Sequence, residues 1–301
     1  MDKKPAPPPG FYEGITYKEY DSWDAVRPTV IKQLHKDPCM ELCKHIMDNP
    51  RPPGPAMIVG NAVHTLAMEP ELFPSKYVFV PKTYMKAGTK KDAPEVETAW
   101  SWNANRCKDW GREQEAAGRT VIRKSQQFPR PREAVEGMAG GLMSNPESKP
   151  LLSGGMCEVC IVWRDEPSGV LCKARLDYLR RGEGGGDLII DIKTAADIKA
   201  DAISKSSYNL GYQIQAAMGW DGLDAIGRRP ERYLYAFVRS KKPYLVNVVE
   251  AEENILICGR SQYKWLVKKW GECIESGVYG GYNQNGIGEL YLPGWAGQEL
   301  A

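Results

Sequence analysis

The chain has 301 residues, 42% of them apolar and 26% charged, with a formal net charge of +2. That length allows one large domain or two small ones with an ordinary buried core, and the near-neutral balance excludes a strongly basic whole-protein field, so any polyanion contact must be local. No run approaches the roughly 18 apolar residues of a membrane span. The start, "MDKKPAPPPGF", lacks the apolar core of a secretory signal, so residues 1–11 are expected to be a flexible leader and the protein cytoplasmic, with no membrane partner.

In chain order, residues 29–47 read as a helix marked by Ile31, Leu34, Leu42 and Ile46, with Pro38 breaking or kinking it. "NPRPPGP" (49–55) is a loop, and "AMIVGNAVHTLAMEP" (56–70) an apolar helix stopped by Pro70. "KYVFV" (76–80) is a short strand, followed by a polar, lysine-rich stretch to about residue 94. Helices are expected over 95–118 and 131–145. The pattern then changes to strands at 155–164, 170–181 and 187–193, joined by the turns "DEPSG" and "GEGGG", which is a meander. A helix over 203–223, strands at 232–239 and 244–249, and an amphipathic helix over 251–276 complete the chain. On that last helix Tyr263, Leu266, Val267, Trp270 and Ile274 share one face. This order gives an α/β (α+β) fold around a central mixed sheet, with the helical first half packed beside it. The chain divides as the leader and a single domain over 12–301: a helical part 12–150, a core 151–250, and a C-terminal helix and tail 251–301.

The eight cysteines are scattered, so no disulfide framework is expected. Cys157 and Cys160 form one C-x-x-C without a second pair at zinc spacing, and no run groups the four thiolates of an iron–sulfur cluster. Basic groups recur at Lys82, Lys86, Lys90 and Lys91, at Arg180 and Arg181, at Arg228, Arg229 and Arg232, and at Arg239, Lys241 and Lys242. Each alone reads as a solvated face.

"DLIIDIKTAADIKA" (187–200) holds Asp-Ile-Lys twice, at Asp191–Lys193 and Asp197–Lys199, and a third copy sits in the leader at Asp2–Lys4. The triplet means little without context. In the first copy, strand alternation sets Leu188, Ile190 and Ile192 on one face and Ile189, Asp191 and Lys193 on the other. The second copy leads into a helix and reads as a turn. The preceding strand carries Lys173, Arg175 and Asp177 at period two, and the glycine turn returns Asp177 to the neighbourhood of Asp191. Adjacent carboxylates repel unless a cation lies between them, and hard oxygen ligands suit Mg²⁺ or Mn²⁺. With a lysine beside them these are the parts for metal-assisted phosphodiester hydrolysis. A surface ion pair and a hairpin-end aspartate explain the same residues equally well. Glu158, inside the apolar strand "CEVCIVW", and His64, in an apolar helix, tilt the reading toward a site.

"GNAVHTLAMEP" with His64, "CEVCIVWRDEPSGVLCKARLDYL" with Glu158 and Asp177, "LIIDIKT" with Asp191 and Lys193, and "YNLGYQIQAAMGWDGL" with Gln215 together resemble the PD-(D/E)xK nuclease superfamily. Within it they resemble the exonuclease VIII (RecE-type) branch of phage recombination exonucleases, over roughly residues 12–250. The resemblance implies a restriction-endonuclease-like core. It implies His64, Asp177, Asp191 and the Ile192 backbone carbonyl as metal ligands, Glu158 as an auxiliary acid near the metal, Lys193 as the catalytic lysine and Gln215 as the helix glutamine at the site. It also implies Mg²⁺ (with Mn²⁺ as substitute), 5′→3′ digestion of one strand from double-stranded DNA ends, a single-strand annealing protein as partner, and a homo-oligomeric ring. Two positions depart from the pattern: Leu176 stands where the motif has proline, and Gly219 where an aromatic follows Gln215, with Trp220 next door and Tyr212 as a substitute. The rival readings are a structure-specific endonuclease of the same fold, a non-catalytic DNA-end-binding recombination module, and an iron–sulfur nuclease.

Overall fold

The computed structural model describes residues 3–49, 52–87, 94–166, 168–282 and 286–292. Its centre is a six-stranded mixed sheet. In chain order the strands are β1 (Gly10–Tyr12), β2 (Met156–Arg164), β3 (Leu171–Arg181), β4 (Asp187–Ala195), β5 (Pro230–Arg239) and β6 (Val246–Glu250). They lie side by side in the order β6-β5-β4-β3-β2-β1. Only β4 and β5 run parallel, which is why a helical crossover separates them in sequence.

Helices cover both faces. One face packs against α1 (Pro28–Lys36), α2 (Met40–Asp48), α6 (Tyr212–Ala225) and α7 (Glu253–Ser276) around a core that includes Ile31, Leu34, Ile161, Trp163, Ile189, Ile214 and Tyr263. The other face packs against α3 (Pro55–Met68) and α4 (Pro131–Ser144), with Val63, Met138, Leu142, Ile190, Ile192 and Leu234 between them. Helix α5 (Ala200–Asn209) leads into α6. Strand β4 is buried on both faces, and this explains its near-continuous apolar run. The fold is therefore a mixed α/β sandwich, with the helices of the first half forming part of both outer layers.

Several segments differ from their sequence reading. Part of the leader is ordered sheet: Phe11 pairs with Ile161 as an edge strand, and Lys4–Pro5 pairs with Trp23–Asp24. Proline is tolerated there because these are edges, where a missing N–H costs no ladder bond. Pro38 ends α1 outright, and α2 starts at Met40. The polar stretch forms a hairpin of Thr83–Lys86 with Val96–Ala99, so the helix expected from 95 begins only at Asn105. Lys90, Lys91 and Asp2 lie outside the described residues. The helix expected over 203–223 is two, broken at Gly211, whose φ of +69° no β-carbon residue adopts cheaply. The last strand starts at Val246, after a turn in which Tyr244 has φ +58°. On α7, Tyr263, Leu266, Val267 and Trp270 are buried, but Ile274, in the last turn, is 53% exposed. Cys157 and Cys160 diverge into different apolar clusters, which removes the C-x-x-C as a ligand pair. No helix among the described residues is long and apolar enough to cross a membrane.

Candidate active site

Strands β3 and β4 pair from Asp187↔Arg181 to Ile190↔Tyr178 and then stop. One more step in that register would oppose Asp191 to Asp177. Two carboxylates directly opposite repel, and the ladder opens there. Across the other edge of β3, Cys157↔Tyr178 and Val159↔Leu176 are paired, but Glu158 and Asp177 between them are not. Glu158 has φ +53°, a conformation that costs a residue with a β-carbon about 1–3 kcal/mol and is found mostly where function requires it. Met156 and Val159 then face the same core, as do Leu176 and Leu179, so the side-chain alternation slips in both strands at the level of the acids. Three acidic residues on three neighbouring strands thus meet where backbone pairing is interrupted.

The gap is filled by side chains. Asp177 Oδ2 accepts a hydrogen bond from the Ile192 backbone N–H at 3.0 Å and lies 3.5 Å from His64 Nδ1, which α3 brings over the sheet. The N–H and C=O of one strand residue point the same way, so the Ile192 carbonyl faces this gap too. Glu158 Oε2 accepts from Arg175 Nε at 2.5 Å. Ligand atoms of His64, Glu158 and Asp177 lie within 4.8 Å of one another. Asp191 stands beside this group rather than inside it. It is 2% exposed, ion-paired with Lys193, and its Oδ2 accepts from Gln215 Nε2 at 2.6 Å and from Tyr233 Oη at 3.0 Å.

Burial pushes the Asp191 carboxyl up to about 6, with Lys193 pulling it down and Asp177 adding to the rise. For Lys193, burial works against the charge, but the Asp191 and Asp177 carboxylates outweigh it and hold the ammonium above its ordinary range. The Lys193 ammonium also sits 4.8 Å from the centre of the Tyr212 ring. His64, Glu158, Arg175, Asp177, Lys193 and Gln215 line a cleft of about 630 Å³, whose remaining wall includes Tyr17, Arg27, Lys32, Asn61, Lys76 and Tyr77.

The donor set fits a divalent cation of the hard type. One imidazole and two carboxylates converge, a backbone carbonyl faces them, and buried Asp191 Oδ1 has the Lys193 ammonium but no aligned hydrogen-bond donor. Asp197 is elsewhere: its Oδ1 accepts the Lys199 N–H at 3.1 Å in a local turn before α5, so the second Asp-Ile-Lys copy does not reach the cleft. Gly219 packs closely where the pattern has an aromatic: a β-carbon there would lie 3.2 Å from Leu176 Cδ2 and press on that side chain. Tyr212 stands by Lys193 instead. Sequence reasoning missed Tyr233, Arg175 and Lys32 as members of this cluster. The Lys32 ammonium donates to Gln215 Oε1 at 3.2 Å across 183 residues of sequence, a distance over which periodicity carries no signal.

Splayed central strands bearing opposed acids, with a lysine two residues beyond the buried aspartate, define a nuclease core of the PD-(D/E)xK type. The family model described as "PDDEXK-like domain of unknown function (DUF3799)" matches residues 29–283, and the chain belongs to that family. This places it in the PD-(D/E)xK nuclease superfamily. Among solved structures, a protein from Eubacterium rectale described as "Putative exonuclease" is similar at 12% identity, with 94% of this chain and 97% of that one covered and a TM-score of 0.57. At that identity the likeness is one of fold. A second structure, SSO0001, overlaps 47% of this chain and 70% of its own at 16% identity, and its TM-score of 0.27 carries no argument. No curated protein matches the sequence.

Proposed function

We propose that the protein is an Mg²⁺- or Mn²⁺-dependent exodeoxyribonuclease that digests one strand of linear double-stranded DNA from an end. The observation that carries this reading is the placement of Lys193, Asp177, Glu158 and His64 around one cleft at an interruption of the sheet, with buried Asp191 ion-paired to Lys193 behind them. His64, Glu158, Asp177 and the Ile192 carbonyl are the groups that would hold the metal, with Asp191, beside them, as the further carboxylate that the resemblance implies. When bound, a divalent cation supplies charge stabilisation at the phosphate and acidifies water at the site.

The side chains do the rest. Lys193, kept charged by the carboxylates around it, orients the attacking water and neutralises charge developing on the phosphate oxygens. Asp191 holds that lysine and is itself fixed by Gln215 and Tyr233, so little reorganisation accompanies the reaction. Water adds to phosphorus as the bond to the leaving 3′ oxygen breaks. That oxygen takes up a proton, leaving a 3′ hydroxyl and a 5′ phosphate, and no covalent enzyme intermediate forms. Arg175 offsets the charge of Glu158 at the edge of the site. The resemblance to the RecE-type branch supports 5′→3′ polarity, 3′ overhangs as product, a single-strand annealing partner and a ring-shaped oligomer.

The test is digestion of a linear duplex labelled separately at its 5′ and 3′ ends, beside the same duplex as a covalently closed circle. Early loss of the 5′ label from the linear form, with the circle intact, is expected. Cutting of the closed circle would make the protein an endonuclease instead. Binding of DNA ends without cleavage in either metal would make it a recombination module that only binds.

A further inference from the structure

Lys32 is a second lysine of the same cleft, on α1 rather than on the sheet. Its stem has a prepared place. A β-carbon at Gly211 would lie 2.8 Å from Lys32 Cγ, so the glycine that breaks α5 from α6 also clears room for this side chain. Its ammonium sits 5.4 Å from the centre of the Tyr212 ring, the ring that also carries Lys193. Its hydrogen-bond acceptor is a neutral amide oxygen, Gln215 Oε1, because the amide nitrogen of Gln215 is spent on Asp191.

Two of the three carboxylates at the site already hold a cation in ion-pair contact: Glu158 has Arg175 and Asp191 has Lys193. Among the described residues Lys32 has no carboxylate in ion-pair contact. A half-buried ammonium with no carboxylate in direct contact is stabilised by an anion that joins it. Burial first, and then the positive charge of Lys193, pull its pKa down to about 8 against the upward pull of the Asp191 and Asp177 carboxylates, and a bound anion would add to that upward pull.

We propose that Lys32 is a phosphate-binding residue, whose ammonium contacts a non-bridging phosphate oxygen of the DNA strand held in the cleft beside Lys193. This rests on reading the cleft as a nuclease site. The stem packing on Gly211 and Tyr212 fixes the ammonium, so a methionine at this position keeps the packing and removes only the charge.

The test is duplex DNA affinity as a function of salt, in chelator so that no cleavage occurs, for the wild type, Lys32→Met and Lys32→Arg. Melting curves check that each variant is folded, with Lys32→Gln as replacement should the methionine variant fail to fold. Loss of one phosphate contact lowers the slope of log affinity against log salt by about 1, and the arginine variant restores it. At saturating DNA in Mg²⁺, Lys32→Met is expected to cleave ~10–100-fold more slowly. An unchanged salt slope overturns the proposal whatever the cleavage rate, and so does a lowered slope that Lys32→Arg does not restore. A wild type that binds DNA but never cleaves it sinks the nuclease reading alone, and the salt slope still decides on Lys32.

Discussion

Asp177 caps a neighbouring strand: its Oδ2 accepts the backbone N–H of Ile192 at 3.0 Å, one residue beyond Asp191, where the β3–β4 ladder has already ended. The same oxygen faces His64. One carboxylate thus replaces a missing ladder bond and supplies charge to the site. The two roles separate by substitution. Asp177→Asn keeps an oxygen for the Ile192 N–H, so its melting temperature should stay close to wild type while cleavage is lost. Asp177→Ala leaves that N–H without a partner and should also cost about 1–3 kcal/mol in chemical denaturation.

Lys193→Ala should bind DNA but lose cleavage by at least ~100-fold. Asp197→Ala and Lys199→Ala should cleave like wild type, because their segment turns away before α5. Steady-state rates on a linear duplex check this. A loss in either of the last two equal to that of Lys193→Ala would place the chemistry in the other Asp-Ile-Lys copy.

In the proposed mechanism cleavage needs Asp191 ionised, and burial pushes its carboxyl up to about 6. The rate should therefore fall as pH drops through about 6. Tyr233→Phe removes a donor to the charged form and should move that limb to higher pH, with folding intact. For stability the sign is opposite. A carboxyl raised above its ordinary value contributes stability fully below about 3.9 and loses it as pH rises through about 6. A pH–rate profile of both proteins checks the prediction; superimposable acid limbs would show that Tyr233 does not tune Asp191.

Lys173 is fully buried and donates to the backbone carbonyls of Tyr20 at 2.6 Å and Trp23 at 2.7 Å, tying the N-terminal segment to the sheet. Lys173→Met should orphan those carbonyls at a cost of about 2–4 kcal/mol and expose the segment before Trp23 to protease. Unchanged denaturation and proteolysis would show that the segment is held by its apolar contacts alone.

The site was legible in part. Asp191 and Lys193 share a face because the side-chain period of a strand is two, and the apolar run around them announced a buried strand. Asp177 followed from a tight glycine turn. The slip of alternation at Glu158 was not legible, since a positive φ at a glutamate is imposed by its surroundings and not by its type. Lys32 and Tyr233 reach Gln215 and Asp191 across 183 and 42 residues, contacts that only the packed fold specifies. The hairpin at 83–99 was hidden because short exposed strands carry little apolar alternation. Edge strand β1 was hidden in a proline-rich segment whose composition reads as extended chain.

The central claim is that the Asp177 cleft cleaves DNA with a divalent cation. Its most direct measurement is degradation of an end-labelled linear duplex by wild type and by folded Asp177→Asn, each with Mg²⁺ and with excess chelator. The structure predicts degradation by the wild type in Mg²⁺ only, and none by the variant in either condition. Degradation that survives the chelator, or that Asp177→Asn carries out at the wild-type rate, would contradict it.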